Sequence, residues 1–145
     1  ELQMCKEHYE EVLEMHLRKV FIILHRHLMT SSKTDNSQIV EDIDAATLYF
    51  NEHYNEEINI EEYAQKHNMS TSWFIRNFKQ HTGFTPLQYI LSVRIYNAEA
   101  LLKSDMYNIT EIASIVGYDN PLYFSRIFKK MKGISPSEYR NNIES

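Results

Sequence analysis

Two pairs of cations recur at one spacing in different parts of the chain: Arg76 with Lys79, and Arg126 with Lys129. A guanidinium offers a rigid fork of N–H donors and an ammonium a compact charge, so both suit acceptor-rich or anionic partners. For each arginine three roles are open: a bidentate bond to the paired acceptors of guanine, a phosphate contact, or a surface ion pair. Lys79, Lys129, Lys130 and Lys132 fit phosphate neutralisation, each adding to the salt dependence of binding. An enzyme would need a convergent acid/base pair, a nucleophile beside a histidine, or a ligand cluster at usable spacing. The sequence spells out none of these, so no catalytic residue, metal or cofactor is expected. Cys5 has only Lys6 beside it in a run of glutamates, which is no setting for a reactive thiol. His8, His16, His25 and His27 lack the three- or four-residue spacing that puts two ligands on one helix face.

The elements that must position the two cation pairs are written twice. Asn108 starts a helix with Glu111 three residues on, the spacing of a capping box. Ile109, Ile112, Ala113 and Val116 follow at helical spacing, and Gly117 ends the helix. Asn120-Pro121 starts the next helix, whose buried face is marked by Phe124 and Phe128. Two short helices across a tight turn have the sequence form of a helix-turn-helix. The stretch from Asn59 to Met69 repeats this pattern: Asn59 caps with Glu62 answering, Ala64 matches Ala113, and Asn68 stands where Gly117 stands. Asn is the residue other than glycine that best tolerates a left-handed turn. Ser70 is the next cap, and Phe74, Arg76, Phe78, Lys79, Gly83, Pro86 and Tyr89 recur as Phe124, Arg126, Phe128, Lys129, Gly133, Pro136 and Tyr139. Thr85-Pro86-Leu87-Gln88 and Ser135-Pro136-Ser137-Glu138 are matching capping boxes with proline at the first helical position. So many coincidences indicate two copies of one structural unit.

Between the copies, Pro86 to Lys103 has no glycine or proline after its start and reads as one helix, about 27 Å long at 1.5 Å per residue. Major-groove segments recur about every 34 Å along one face of a duplex, so that separation permits two second helices to meet successive segments. Upstream, residues 2–28 read as helical, with Tyr9, Leu13, Leu17, Val20, Leu24 and Leu28 as a stripe, either a core helix or a dimer helix. The polar run 30–37 reads as a linker, and a structural helix with Ile39, Ile43, Ala46, Leu48 and Phe50 on its apolar side is expected from Gln38 to about Tyr54. The chain is therefore expected to be all-α. Residues 1–29 would be the helical tail of an upstream domain, 30–37 a linker, and 38–145 a tandem unit with halves at about 38–83 and 86–140. The 145 residues, 43% hydrophobic, supply material for a core, and no apolar run suits a membrane span. The net charge of −5 divides unevenly: residues 1–57 hold 5 Lys and Arg against 12 Asp and Glu, residues 58–145 hold 10 against 8. Such asymmetry is a weak pointer to nucleic acid. The single cysteine fits a reducing compartment, and an opening Glu1 rather than Met suggests a piece of a longer protein.

From Gln38 to Arg140 this layout resembles the AraC/XylS family of bacterial transcription regulators, most specifically in the stretch from Gly117 to Arg140. The resemblance implies a cytoplasmic protein of the bacterial nucleoid that places two recognition helices in the major groove of double-stranded DNA. It also implies an effector-binding or dimerisation domain upstream. Candidate partners are then double-stranded DNA, RNA polymerase, and a second copy through residues 1–29. Carried over by position, the base-facing side chains are Ser72, Ile75, Arg76 and Lys79 in the first unit. In the second they are Pro121, Leu122, Ser125, Arg126 and Lys129. Residues 72, 75, 76 and 79 also share one helix face opposite Phe74 and Phe78. Phosphate contacts would come from Lys130, Lys132 and the amides at the Ser70 and Asn120 caps. Ile75 is apolar where the family is usually polar, either touching a thymine methyl or buried, and Asn77 is polar at a usual core position. Trp73 and Tyr123 are read as packing rather than base-stacking residues. The rival reading, a helical protein-interaction module without DNA binding, leaves the duplicated caps and paired cations unexplained.

Overall fold

The computed structural model describes residues 34–144, and the side chains of residues 36–143. The helix expected over 2–28 and the dimer role of 1–29 lie outside the described residues. Those residues form α1 (Thr34–His53), α2 (Ile60–Lys66), α3 (Thr71–Thr82), α4 (Pro86–Lys103), α5 (Ile109–Ile115), α6 (Pro121–Lys132) and α7 (Pro136–Glu144). No strand occurs among them, as the all-α expectation required. The chain divides into units at 1–39 and 40–145, and the packing below is that of the second.

Local hydrogen bonds set most helix starts. Asn108 Oδ1 accepts from the Glu111 amide at 2.9 Å while the Glu111 carboxylate accepts from the Asn108 amide at 2.8 Å. Thr85 with Gln88 and Ser135 with Glu138 close the same reciprocal box. The Ser135 amide donating to Glu138 holds that carboxyl below its ordinary pKa. At Asn59 only half of the expected box forms. Its side chain accepts from the Glu62 amide at 3.1 Å, but the Glu62 carboxylate turns to Lys66 one turn on, at 3.2 Å. The two turns take left-handed backbone where the repeat places them, φ +57° at Asn68 and +97° at Gly117. The first helix starts at Thr34 rather than Gln38. Thr, Asp, Asn and Ser are residues of helix starts as well as of linkers, so polar composition alone could not separate the two at 34–37.

The packing repeats as well. In the first half Phe50 of α1 lies 5.4 Å from Tyr63, 6.3 Å from Phe74 and 5.6 Å from Phe78, centroid to centroid. Tyr89 meets Phe78 edge-on at 5.5 Å and 80°, and Tyr139 meets Phe128 at 5.5 Å and 80°. In the second half Ile112, Ala113, Val116, Tyr118, Phe124 and Phe128 close around Ile95, Ala98 and Leu102 of α4. Helix α4 therefore gives its first turns to one core and its remainder to the other. Burial, with a smaller contribution from nearby Glu99, pushes the Tyr139 phenol up to about 12. Helix α1 buries Ile43, Ala46 and Phe50, but Leu48 is 61% exposed. Leu48 stands two residues from both Ala46 and Phe50, which on a helix is the far side, so its expected place in the core is corrected. Asn77 is buried without breaking the core, because its Nδ2 donates to the Trp73 carbonyl at 2.8 Å.

Two arginines that the sequence did not single out tie the loops. Arg94 of α4 donates from Nε to the Tyr54 carbonyl at 2.6 Å, from Nη2 to that of Glu56 at 2.8 Å, and from Nη1 to that of Gly117 at 3.0 Å. Its guanidinium carbon lies 5.0 Å from the Tyr118 ring centroid. Arg140 of α7 donates to the carbonyls of Leu102 and Tyr107.

Candidate nucleic-acid interface

Helices α3 and α6 each turn a phenylalanine pair inward and a cation pair outward. Phe74 and Phe78 are fully buried, while Ser72, Ile75, Arg76 and Lys79 are exposed. Phe124 and Phe128 are likewise fully buried, while Leu122, Arg126, Lys129 and Lys130 are exposed and Pro121 and Ser125 half-buried. The structure thus brings both expected sets together, each on one face. Ile75, at 37% exposure, stays on that face instead of entering the core.

Among the described residues, no carboxylate pairs with Arg76, Lys79, Arg126 or Lys130. The surface ion pair, one of three roles open to the arginines, finds no partner here. Lys129 lies close enough to Glu138 to help lower its pKa, after the Ser135 hydrogen bonds. An outward face with unpaired guanidinium and ammonium groups can take phosphate oxygens or base-edge acceptors without first breaking a bond of its own.

Lys132 departs from the expected phosphate set. Its Nζ pairs with Glu99 Oε1 of α4, and the two side chains are 15% and 8% exposed. Lys132 stands four residues past Phe128, on the stripe of α6 that packs on the rest of the unit, and there it neutralises a buried carboxylate.

The caps differ in what they leave free. Ser70 Oγ accepts from the Trp73 amide at 3.2 Å, and the Thr71 and Ser72 amides of α3 stay available to an anion. At α6, Asn120 Oδ1 accepts from both the Leu122 and the Tyr123 amides, at 2.9 and 3.2 Å. Pro121 has no N–H to give. The expected phosphate contact at the Asn120 start therefore lacks an unbonded first-turn amide, whereas the Ser70 start keeps two. Tyr123 rests on Tyr118 at 5.9 Å between centroids yet is 51% exposed, and Trp73 is half-buried. Among the described residues no group of histidine, cysteine and acidic side chains could hold a metal ion, and no helix is long and apolar enough to cross a membrane.

Residues 63–142 match the family model described as a helix-turn-helix domain. Over 102 residues the chain is 37% identical to the MmsAB operon regulatory protein of Pseudomonas aeruginosa, covering 70% of this chain and 33% of that one. The chain spans about a third of the length of the curated relatives it matches. Among solved structures it resembles the C-terminal domain of AraT, a response regulator from Geobacillus stearothermophilus. There the TM-score is 0.67 and the identity 34%, over 70% of this chain and 84% of that one. It also resembles the DNA-binding domain of AdpA, a global transcriptional factor solved in complex with a target DNA. That match has TM-score 0.65 and 30% identity, over 69% of this chain and 90% of that one.

Proposed function

This chain belongs to the AraC-type helix-turn-helix family of transcription regulators, and we propose that it binds one asymmetric stretch of duplex DNA with α3 and α6 in successive major-groove segments. The observation that carries this reading is the repeated face: Arg76 with Lys79 and Arg126 with Lys129, exposed and backed by buried phenylalanines. Arg76 and Arg126 read guanine edges, since a guanidinium spans the two acceptors guanine shows in the major groove. Ser72, Ile75, Leu122 and Ser125 supply shorter polar and apolar contacts, Ile75 and Leu122 meeting thymine methyls, and Pro121 brings the start of α6 to the groove. Lys79, Lys129, Lys130 and the amides at the Ser70 cap hold phosphates. The chain carries no chemistry of its own in this reading. Transcriptional activation, RNA polymerase and a second copy through residues 1–29 as partners, an effector held upstream, and work at the bacterial nucleoid extend the same reading to the whole regulator. They rest on the family resemblance and on the apolar stripe of residues 1–29, and not on a feature of the described residues.

The test is selection of random duplexes by the 145-residue chain at two salt concentrations. One enriched asymmetric motif, with two blocks about one helical turn apart, is the expected result. Enrichment of perfect inverted repeats only, one unit per half-site, would refute the tandem reading. Arg126→Ala is expected to weaken binding to that motif by about 1–3 kcal/mol and to relax preference at one base pair. An equal loss on every sequence would assign Arg126 to phosphate.

A further inference from the structure

Arg94 lies midway along α4, and its three donors reach two separate parts of the molecule. Tyr54 and Glu56 belong to the segment between α1 and α2, which leads into the first helix-turn-helix. Gly117 is the turn of the second one. The two segments also touch directly: a Cβ on Gly117 would stand 2.7 Å from the Asn55 carbonyl oxygen. The same strip of chain enters both cores, with Phe50 among the first set of rings and Tyr54 packed against the second cluster. Arg140 makes the instructive contrast. It pins the segment leading into the second helix-turn-helix through Leu102 and Tyr107, and both of those carbonyls lie in the second half. Each arginine secures the entry to one unit, and Arg94 holds the turn of the other unit as well.

We infer that Arg94 is the positioning residue that fixes how α3 and α6 stand relative to each other, and so sets the spacing between the two base blocks that one chain accepts. A continuous α4 joins the two halves but does not by itself hold a turn at its far flank against a loop from the other half. Three charge-assisted bonds from one planar fork do, because the fork's directions are fixed. Lysine at this position keeps the charge and loses the fork. This inference rests on the reading that both helices meet one duplex.

The test uses the 145-residue chain with Cys5→Ser, Gln80→Cys and Met131→Cys, the last two at exposed sites on α3 and α6, spin-labelled for distance measurement without DNA. Duplexes selected from a random pool by the unlabelled chain are then rebuilt with one or two base pairs added or removed between the blocks. The unaltered chain is expected to give a single narrow interspin distribution and to lose about tenfold in affinity per altered spacing, the cost of a misplaced base contact. Arg94→Lys is expected to broaden the distribution and flatten the spacing preference to within about threefold, less than one mismatched pair costs. Arg140→Lys, whose bonds stay in one half, is expected to leave both unchanged. A narrow distribution in Arg94→Lys would overturn the inference. So would loss of helical circular dichroism in that variant, which would make Arg94 a folding residue. If the pool yields no enriched duplex, the DNA reading fails while the interspin distribution still decides the role of Arg94.

Discussion

Lys129 and Lys132 sit three residues apart on α6 and do opposite things. Lys129 faces outward with Arg126, whereas Lys132 is drawn in to Glu99. Lys132→Ala leaves a carboxylate that is 8% exposed without its counter-charge, and about 2–4 kcal/mol of stability should be lost in urea unfolding, somewhat under the full cost of orphaning a buried charge. The salt dependence of DNA binding should stay as it was, while Lys129→Ala should lower that slope by about one. Helical spacing puts Lys132 on the buried stripe of Phe124 and Phe128, but the glutamate it meets there lies on another helix and leaves no local mark. Arg94 was missed for the same reason: its partners are backbone carbonyls far off in the sequence, and backbone carbonyls leave no mark in residue types. Tyr139 beside Glu99 adds a pH dependence. Its phenol titrates at about 12 when folded and near 10 when unfolded, so the neutral form favours the fold. That contribution is complete below pH 10 and is lost as pH rises from 10 to 12. A thermal-unfolding series should show the decline, and Tyr139→Phe should remove that part of it.

At the scale of elements, two of the three glycines with left-handed backbone differ in surroundings. Gly133 has φ +81° and open space where a Cβ would go, whereas Gly117 has φ +97° with the Asn55 backbone in the way. Gly133→Ala should cost about 1–2 kcal/mol, the strain of a left-handed residue alone. Gly117→Ala adds a clash with backbone and should cost about 2–5 kcal/mol, measurable by chemical denaturation. Equal costs would mean that the Asn55 contact yields easily. The turns, caps and bounds of α4 were legible because each is decided by residues within four positions of one another. The half-formed box at Asn59 was not, since Glu62 has two local partners to choose from, the Asn59 amide and Lys66, and residue types do not say which it takes. The repeat carried most of the candidate site, because two copies reveal by comparison which positions are core and which face out.

For the molecule as a whole, the charge and the cores run against simple accounting. Residues 40–145 hold 10 Lys and Arg against 14 Asp and Glu, so any attraction to phosphate is local to the recognition faces rather than a property of net charge. Phe50 completes one core, Tyr54 lies on the other, and Asn55 backs the second turn. A chain begun at Ile58 would retain every residue assigned to DNA and the whole span 63–142 that matches the family. It would nevertheless expose the undersides of two clusters, and its melt should lose cooperativity, while a chain begun at Val40 should unfold in one transition. On that expectation the smallest autonomous piece of this protein is longer than the span that matches the family model, and the strip that makes up the difference is the one through which anything attached upstream would first pull on the reading heads.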